Sequence, residues 1–344
     1  MRSRIEWEIE HGIGAGWHTG AQVYASVGGT PWVDVALGEA QPGVPMARET
    51  IVEWASATKP ITCVALAVLW ERGALDIDDP VHHHLPEFAA SGKERVSVKH
   101  LLTHTAGLTT SITKQASAAE LVADICASPL RPDWVPGQRC GYNSIAMWIV
   151  AELVTRLDGR PFDQFVREEI FEVAGLDDCW LAMAPEIYER NQARIARIPG
   201  IARSGTAYWV TWGRPTGGIH GPISQLGRFY ESLGCILSPD TLREMTSHHL
   251  TDVYDEVLDA RLDRGLGFVL GSAAPQYGFG DRASSGTYGH GGQTWSTAFA
   301  DPARDLVVAV YLNGAATAAI HADRLPRLLN ALYADLADLD DLDG

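Results

Sequence analysis

The stretch Trp54-Ala55-Ser56-Ala57-Thr58-Lys59-Pro60, followed by the apolar run of residues 61–75, decides how this chain is read. An S-x-x-K spacing brings Ser56 and Lys59 to one face of a helical turn. There an unprotonated lysine amine takes the serine proton, and the start of the long apolar helix favours negative charge on the oxygen. The same spacing recurs at Ser111 and Lys114, inside a polar run with no apolar helix after it. A serine before a helix also serves as an ordinary N-cap. The pattern by itself leaves both roles open for Ser56.

Working outward, Ile5, Ile9 and Ile13 recur every four residues and predict a short amphipathic helix. Residues 21–27 and 31–37, separated by Gly28-Gly29-Thr30, read as a β-hairpin. From Asp76 to Leu237 the pattern is mainly helical, clearest over residues 144–157, with a long irregular connection at 199–222 rich in Gly and Pro. Strand signals return at residues 265–270, 294–300 and 306–312, and a leucine stripe from Leu325 to Leu336 predicts a closing helix. Strands at both ends and helices between them predict an α/β (α+β) fold. Its mainly antiparallel sheet is built from both ends of the chain and flanked by helices. Residues 1–75 and 238–344 would form the sheet unit and residues 76–237 an inserted, mostly helical region, with the active site between them.

The 344 residues carry 27 Lys+Arg against 43 Asp+Glu, a net charge of −16. Such a surface repels nucleic acid and anionic lipid, so neither is expected as a partner. Part of the acidity sits at residues 335–343, read as a solvated, fraying helix end. The five cysteines have no Cys-x-x-Cys spacing, which suggests neither a disulfide framework nor a zinc site and fits a reducing compartment. No signal-peptide run and no membrane-length apolar segment is visible, so a cytoplasmic location is expected.

With the order Ser56-x-x-Lys59, then residues 71–81 (ERGALDIDDPV) and 101–108 (LLTHTAGL), the chain resembles the serine β-lactamase-like superfamily. That group contains class C β-lactamases, DD-peptidases and family VIII carboxylesterases. The resemblance runs from about Val23 to Leu312 and implies the β-lactamase/transpeptidase-like fold, with Ser56 as nucleophile and Lys59 as its base. Tyr142-Asn143-Ser144 is similar to the family's Y-x-N element. It implies that Tyr142 relays protons, while Ser144 stands where the family has asparagine and lacks an amide's two-sided grip. His290-Gly291-Gly292 is similar to the third element, often K-T-G. An imidazole there weakens the hold on a substrate carboxylate. Backbone N–H groups of Ser56 and Gln293 would form the oxyanion hole.

Tyr208, Trp209 and Trp212 precede Thr216-Gly217-Gly218. By the resemblance they lie near the mouth of the site, with an aromatic substrate wall and core packing both open. Arg214 is a weaker candidate for contacting a carboxylate. His82-His83-His84 and His248-His249 lack partners at metal-ligand spacing, and His100 and His104 read as structural, so neither metal nor cofactor is expected. The expected function is serine acyl transfer on a small-molecule ester, thioester or amide. Carboxylester hydrolysis comes first. Acyl transfer to an amine or alcohol, amide or β-lactam hydrolysis, and a non-catalytic binding domain on the same fold are the alternatives. Oligomeric state and the identity of donor and acceptor are not readable from the sequence.

Overall fold

The computed structural model describes residues 3–112, 117–271, 277–293 and 295–343. Lys114 of the second S-x-x-K spacing and Thr294 lie outside them. Helix α1 (Arg4–Gly14) starts at a capping box, in which Ser3 accepts from the Glu6 N–H and the Glu6 carboxylate accepts from the Ser3 N–H. The hairpin follows as β1 (Gly20–Val27) and β2 (Thr30–Gln41), then β3 (Val44–Pro45) and β4 (Val52–Glu53). The long apolar run becomes α2 (Lys59–Glu71), and the periodic stretch after Tyr142 becomes α3 (Ala146–Asp158). Next come β5 (His220–Gly221), α4 (Ile223–Glu231), β6 (Leu250–Asp255), β7 (Ala260–Arg264), β8 (Val269–Leu270), β9 (Tyr288–Gly292), β10 (Ser296–Asp301), β11 (Leu306–Leu312) and α5 (Ala318–Asp343).

Among the described residues nine strands form one antiparallel sheet in the order β3-β2-β1-β11-β10-β9-β8-β7-β6. Strands from the two ends of the sequence are neighbours inside this sheet, where β1 pairs with β11 from Ala21↔Leu312 to Val27↔Leu306. Alternation sorts the side chains of β11 between two cores. Leu306, Val308, Val310 and Leu312 face Ile5, Ile9, Leu325 and Leu329 of α1 and α5, whereas Val307, Ala309 and Tyr311 face the interior shared with α2 and α4. A strand covered on both faces is apolar throughout rather than alternating, which is why residues 306–312 read as one continuous run.

Three features differ from the sequence reading. The strand expected at 265–270 is only Val269–Leu270, because Gly267 takes φ +82 in the turn before it. Helix α4, placed within the inserted region, packs against β1, β10 and β11 of the sheet. The acidic end is a continuation of α5, and Arg4 Nη1 pairs with Asp335 and Asp338 at 2.9 and 2.6 Å. No helix among the described residues is long and apolar enough to cross a membrane.

Candidate active site

Ser56 lies in a 3₁₀ turn (Ala55–Thr58) that leads into α2. It caps no helix: its Oγ sits 2.8 Å from Lys59 Nζ, and α2 has no side-chain cap. Within residues 51–69 it alone is not buried. Lys59 is 1% exposed, and its Nζ also donates to the Thr216 carbonyl at 2.7 Å. The turn is built under constraint, since Ala55 has φ +45, a left-handed conformation that costs a residue with a Cβ.

Tyr142 arrives from the loop before α3. Its N–H donates to both oxygens of Asp255 at 2.9 and 3.1 Å. Asp255 is fully buried at the end of β6 and also accepts from the Val257 and Leu258 N–H groups and from Arg264 Nη2 at 2.5 Å. Burial by itself raises its carboxyl, but the Arg264 charge and the backbone donors outweigh this and hold it below the usual carboxylate range. The Tyr142 ring lies 4.9 Å from Lys59 Nζ and is flanked by His104 at 4.8 Å and His290 at 6.0 Å, centroid to centroid. His104, at φ +58, accepts the Asn143 N–H on Nδ1, and Asn143 Nδ2 donates to the Leu108 carbonyl. Asn143 therefore shapes the loop that presents Tyr142.

His290, Gly291 and Gly292 form the end of β9 beside the turn that carries Ser56. A Cβ on Gly292 would lie 2.0 Å from Ser296 Oγ and 2.3 Å from the Trp54 carbonyl oxygen, so only glycine allows this approach. His290 Nδ1 is 2.6 Å from the Gly291 carbonyl; as that oxygen only accepts, Nδ1 carries the hydrogen and Nε2 is an acceptor. Burial first, then Lys59, pushes His290 down to about 3, so the ring is neutral.

These groups converge on a cavity of about 390 Å³. Ser56, Tyr142, Ser144, His290, Gly291 and Gln293 line one part of it, and Leu258, Arg264, Val269 and Tyr277 another, with Ala318 and His321 from α5. The sequence reading missed this second set. Arg264 directly before Gly265-Leu266-Gly267 was the one visible signal, a charge in an otherwise apolar approach to a strand.

Trp209 and Trp212 do not line this cavity. The buried carboxylate of Glu53 draws Trp209 away: its Nε1 donates to Glu53 Oε1 at 2.9 Å, and Arg214 stacks 3.5 Å from its ring centroid. Arg214 Nη2 pairs with Glu53 at 3.2 Å, an internal carboxylate rather than a substrate's. Trp212 packs with Trp148 and Tyr208 and borders a separate hollow with Leu181 and Pro215. Ser111 bonds to the Asp124 carboxylate. His84 pairs with Asp79 at 2.9 Å, and no cluster of three or more metal-ligating side chains occurs among the described residues.

A nine-stranded sheet with a serine–lysine pair at a helix start and a glycine-rich strand beside it defines a class of acyl-transfer enzymes. Residues 8–333 match the beta-lactamase family, and the chain belongs to it. The protein is thus an enzyme of a family of serine hydrolases and acyltransferases. It is 26% identical over 162 residues to a beta-lactamase of Yersinia enterocolitica (46% of this chain, 40% of that one). It is 31% identical over 170 residues to the esterase EstB of Burkholderia gladioli (43% of each). The chain thus aligns with less than half the length of these curated relatives. Its structure superposes on a penicillin-binding protein homologue from Caulobacter crescentus with TM-score 0.83, 26% identity and 96% coverage of both chains. A family VIII carboxylesterase gives 0.82 at 24% identity, again with 96% of both chains covered, and shares the fold.

Proposed function

We propose that the protein is a carboxylester hydrolase that works through an acyl–Ser56 intermediate. The 2.8 Å approach of Lys59 Nζ to Ser56 Oγ at the wall of an open cavity carries this reading. An unprotonated Lys59 takes the Ser56 proton as Oγ bonds to the ester carbonyl carbon. The N–H groups of Ser56 and Gln293 receive the oxyanion. Collapse breaks the bond to the leaving oxygen, which takes a proton by way of Tyr142. Water then adds to the acyl carbon and gives a proton to the Tyr142–Lys59 pair; collapse breaks the carbon–Oγ bond, Oγ takes that proton, and acid and free Ser56 are released.

The similarity to the Burkholderia esterase supports an ester as substrate. The neutral His290 counts against a β-lactam as the native one. Trp209 and Trp212 lie outside the cavity, which supports keeping hydrolysis ahead of acyl transfer. On the division read from the sequence, the sheet unit brings Ser56 and His290 and the inserted region brings Tyr142. Five unpaired cysteines, four of them buried, support a reducing compartment such as the cytoplasm.

Fluorophosphonate labelling followed by intact-protein mass spectrometry tests the mechanism. One adduct, mapped to Ser56 and absent in Ser56→Ala, together with turnover of simple aryl esters, is the expected result. Ester turnover that persists in Ser56→Ala would overturn it.

A further inference from the structure

Arg264 is 2% exposed, yet it lines the cavity that holds Ser56. One of its donors, Nη2, is committed to Asp255. Its Nε is buried without a hydrogen-bond partner among the described residues. A guanidinium carries five N–H donors in a fixed fork, and a buried donor left unmade is costly. Asp255 cannot absorb the rest, because its oxygens already accept the N–H groups of Tyr142, Val257 and Leu258. The other polar groups facing the cavity do not compete as cations. His290 and His321 are kept neutral by burial, and Lys59 spends its hydrogen bonds on Ser56 and Thr216. Leu258, Val269 and Tyr277 surround this cation with largely apolar surface, where a charged hydrogen bond is strengthened.

We propose that Arg264 is the substrate anchor of the cavity, and that the preferred ester carries a carboxylate or similar anion away from its reacting carbonyl. The proposal rests on the esterase reading for its chemistry but names an anion site of its own. Arg264 stands at the end of β7, two strands from the His290-Gly291-Gly292 strand, and its charge is felt at His290 across the shared cavity. A neutral ester fills the same space but brings no charge to the guanidinium, whose Nε lacks a partner among the described residues.

Two matched pairs of esters test this. 4-Nitrophenyl hemiglutarate against 4-nitrophenyl pentanoate puts the anion in the acyl chain. 4-Acetoxybenzoate against its methyl ester puts it in the leaving group. In the wild-type enzyme one anionic ester should exceed its neutral partner by about 10- to 100-fold in kcat/KM, expressed mainly in KM, as expected for a hydrogen bond to a charged group. Arg264→Gln should lose more on that anionic ester than on its partner, and Arg264→Lys should recover part of the difference. No preference in either pair, or equal losses on both members, would overturn the proposal; the wild-type comparison stands even if the variants fold poorly. Calorimetry on Ser56→Ala with monomethyl and dimethyl glutarate separates this from the esterase reading. If the wild type hydrolyses no ester but Ser56→Ala binds the monoester at least 10-fold more tightly, the anion site stands and the hydrolase reading falls. Equal binding of the two removes the anion site.

Discussion

Ser296 Oγ donates to the Trp54 carbonyl at 2.6 Å, across 242 residues of sequence, and pins strand β10 to the turn that carries Ser56. Gly292 lies in the same contact, with no room for a Cβ. Gly291, its neighbour, has nothing closer than 3.7 Å to a built Cβ and borders the cavity.

The two glycines should therefore fail differently. Gly292→Ala must push the strand from the turn, lowering the urea midpoint and abolishing ester turnover. Gly291→Ala should keep the unfolding free energy within about 0.5 kcal/mol of wild type, as for substitutions that clash with nothing, while raising KM for bulky acyl groups. Equal midpoints for both variants would contradict the close approach.

Ser56, Lys59 and Tyr142 should behave as one unit. Ser56→Ala should abolish acylation, and Lys59→Ala or Tyr142→Phe should each cost about 10²–10⁴-fold in kcat. Adding the second of these substitutions to the first should cost little more. Burst kinetics with an aryl ester measures this, and near-normal turnover by Lys59→Ala would count decisively against the assignment.

Acid should destabilise the fold over a defined window. Burial, reinforced by Lys59 for His290 and by Arg324 for the others, lowers His290 to about 3 and His18 and His321 to about 4. Unfolded histidines bind their protons near 6.5, at about that value for each ring. Below that pH the unfolded chain holds more protons than the folded protein, so stability is intact above about pH 6.5 and falls steadily toward pH 4. Asp255, held below the usual range, adds its own loss only at lower pH. Urea midpoints at pH 4.5, 5.5, 6.5 and 7.5 check this; a flat series would refute it.

Nitrocefin should be a poor substrate, with kcat/KM below about 10⁴ M⁻¹s⁻¹, the lower edge of the usual enzyme range. Ser144 offers a single hydroxyl in place of an amide, and His290 is uncharged. Spectrophotometric hydrolysis assays decide the point.

The parts legible in the sequence are those whose signal is local. The run of 306–312, the 144–157 periodicity and the Ser56–Lys59 spacing each fix an element without knowledge of the rest. The strands β6 and β7 were not visible because Leu250–Asp255 and Ala260–Arg264 lie near a sheet edge, with exposed charges mixed among few apolar residues. β9 is a strand because its neighbours pair with it, against the preference of three glycines in five residues. Arg264 and Asp255 escaped notice for a related reason. Their meaning lies in facing Tyr142 and the cavity, a juxtaposition made by sheet order rather than by spacing. Whether Trp209 faced substrate or core was equally unreadable, because Glu53, over 150 residues earlier in the chain, holds its indole.

The pairing of β1 with β11 has a consequence for how the enzyme comes into being. A ribosome releases Ser56 and Lys59 early, but β1 has no partner on its inner side until residues 306–312 emerge. The turn around Ser56 likewise waits for Ser296. Contacts separated by so much chain form slowly, because long loops must close before they are rewarded. A nascent chain therefore carries Ser56 and Lys59 well before the strands that wall the cavity beside them. Timing is written into the strand order: the cavity wall is completed only when the strands from the far end of the sequence arrive.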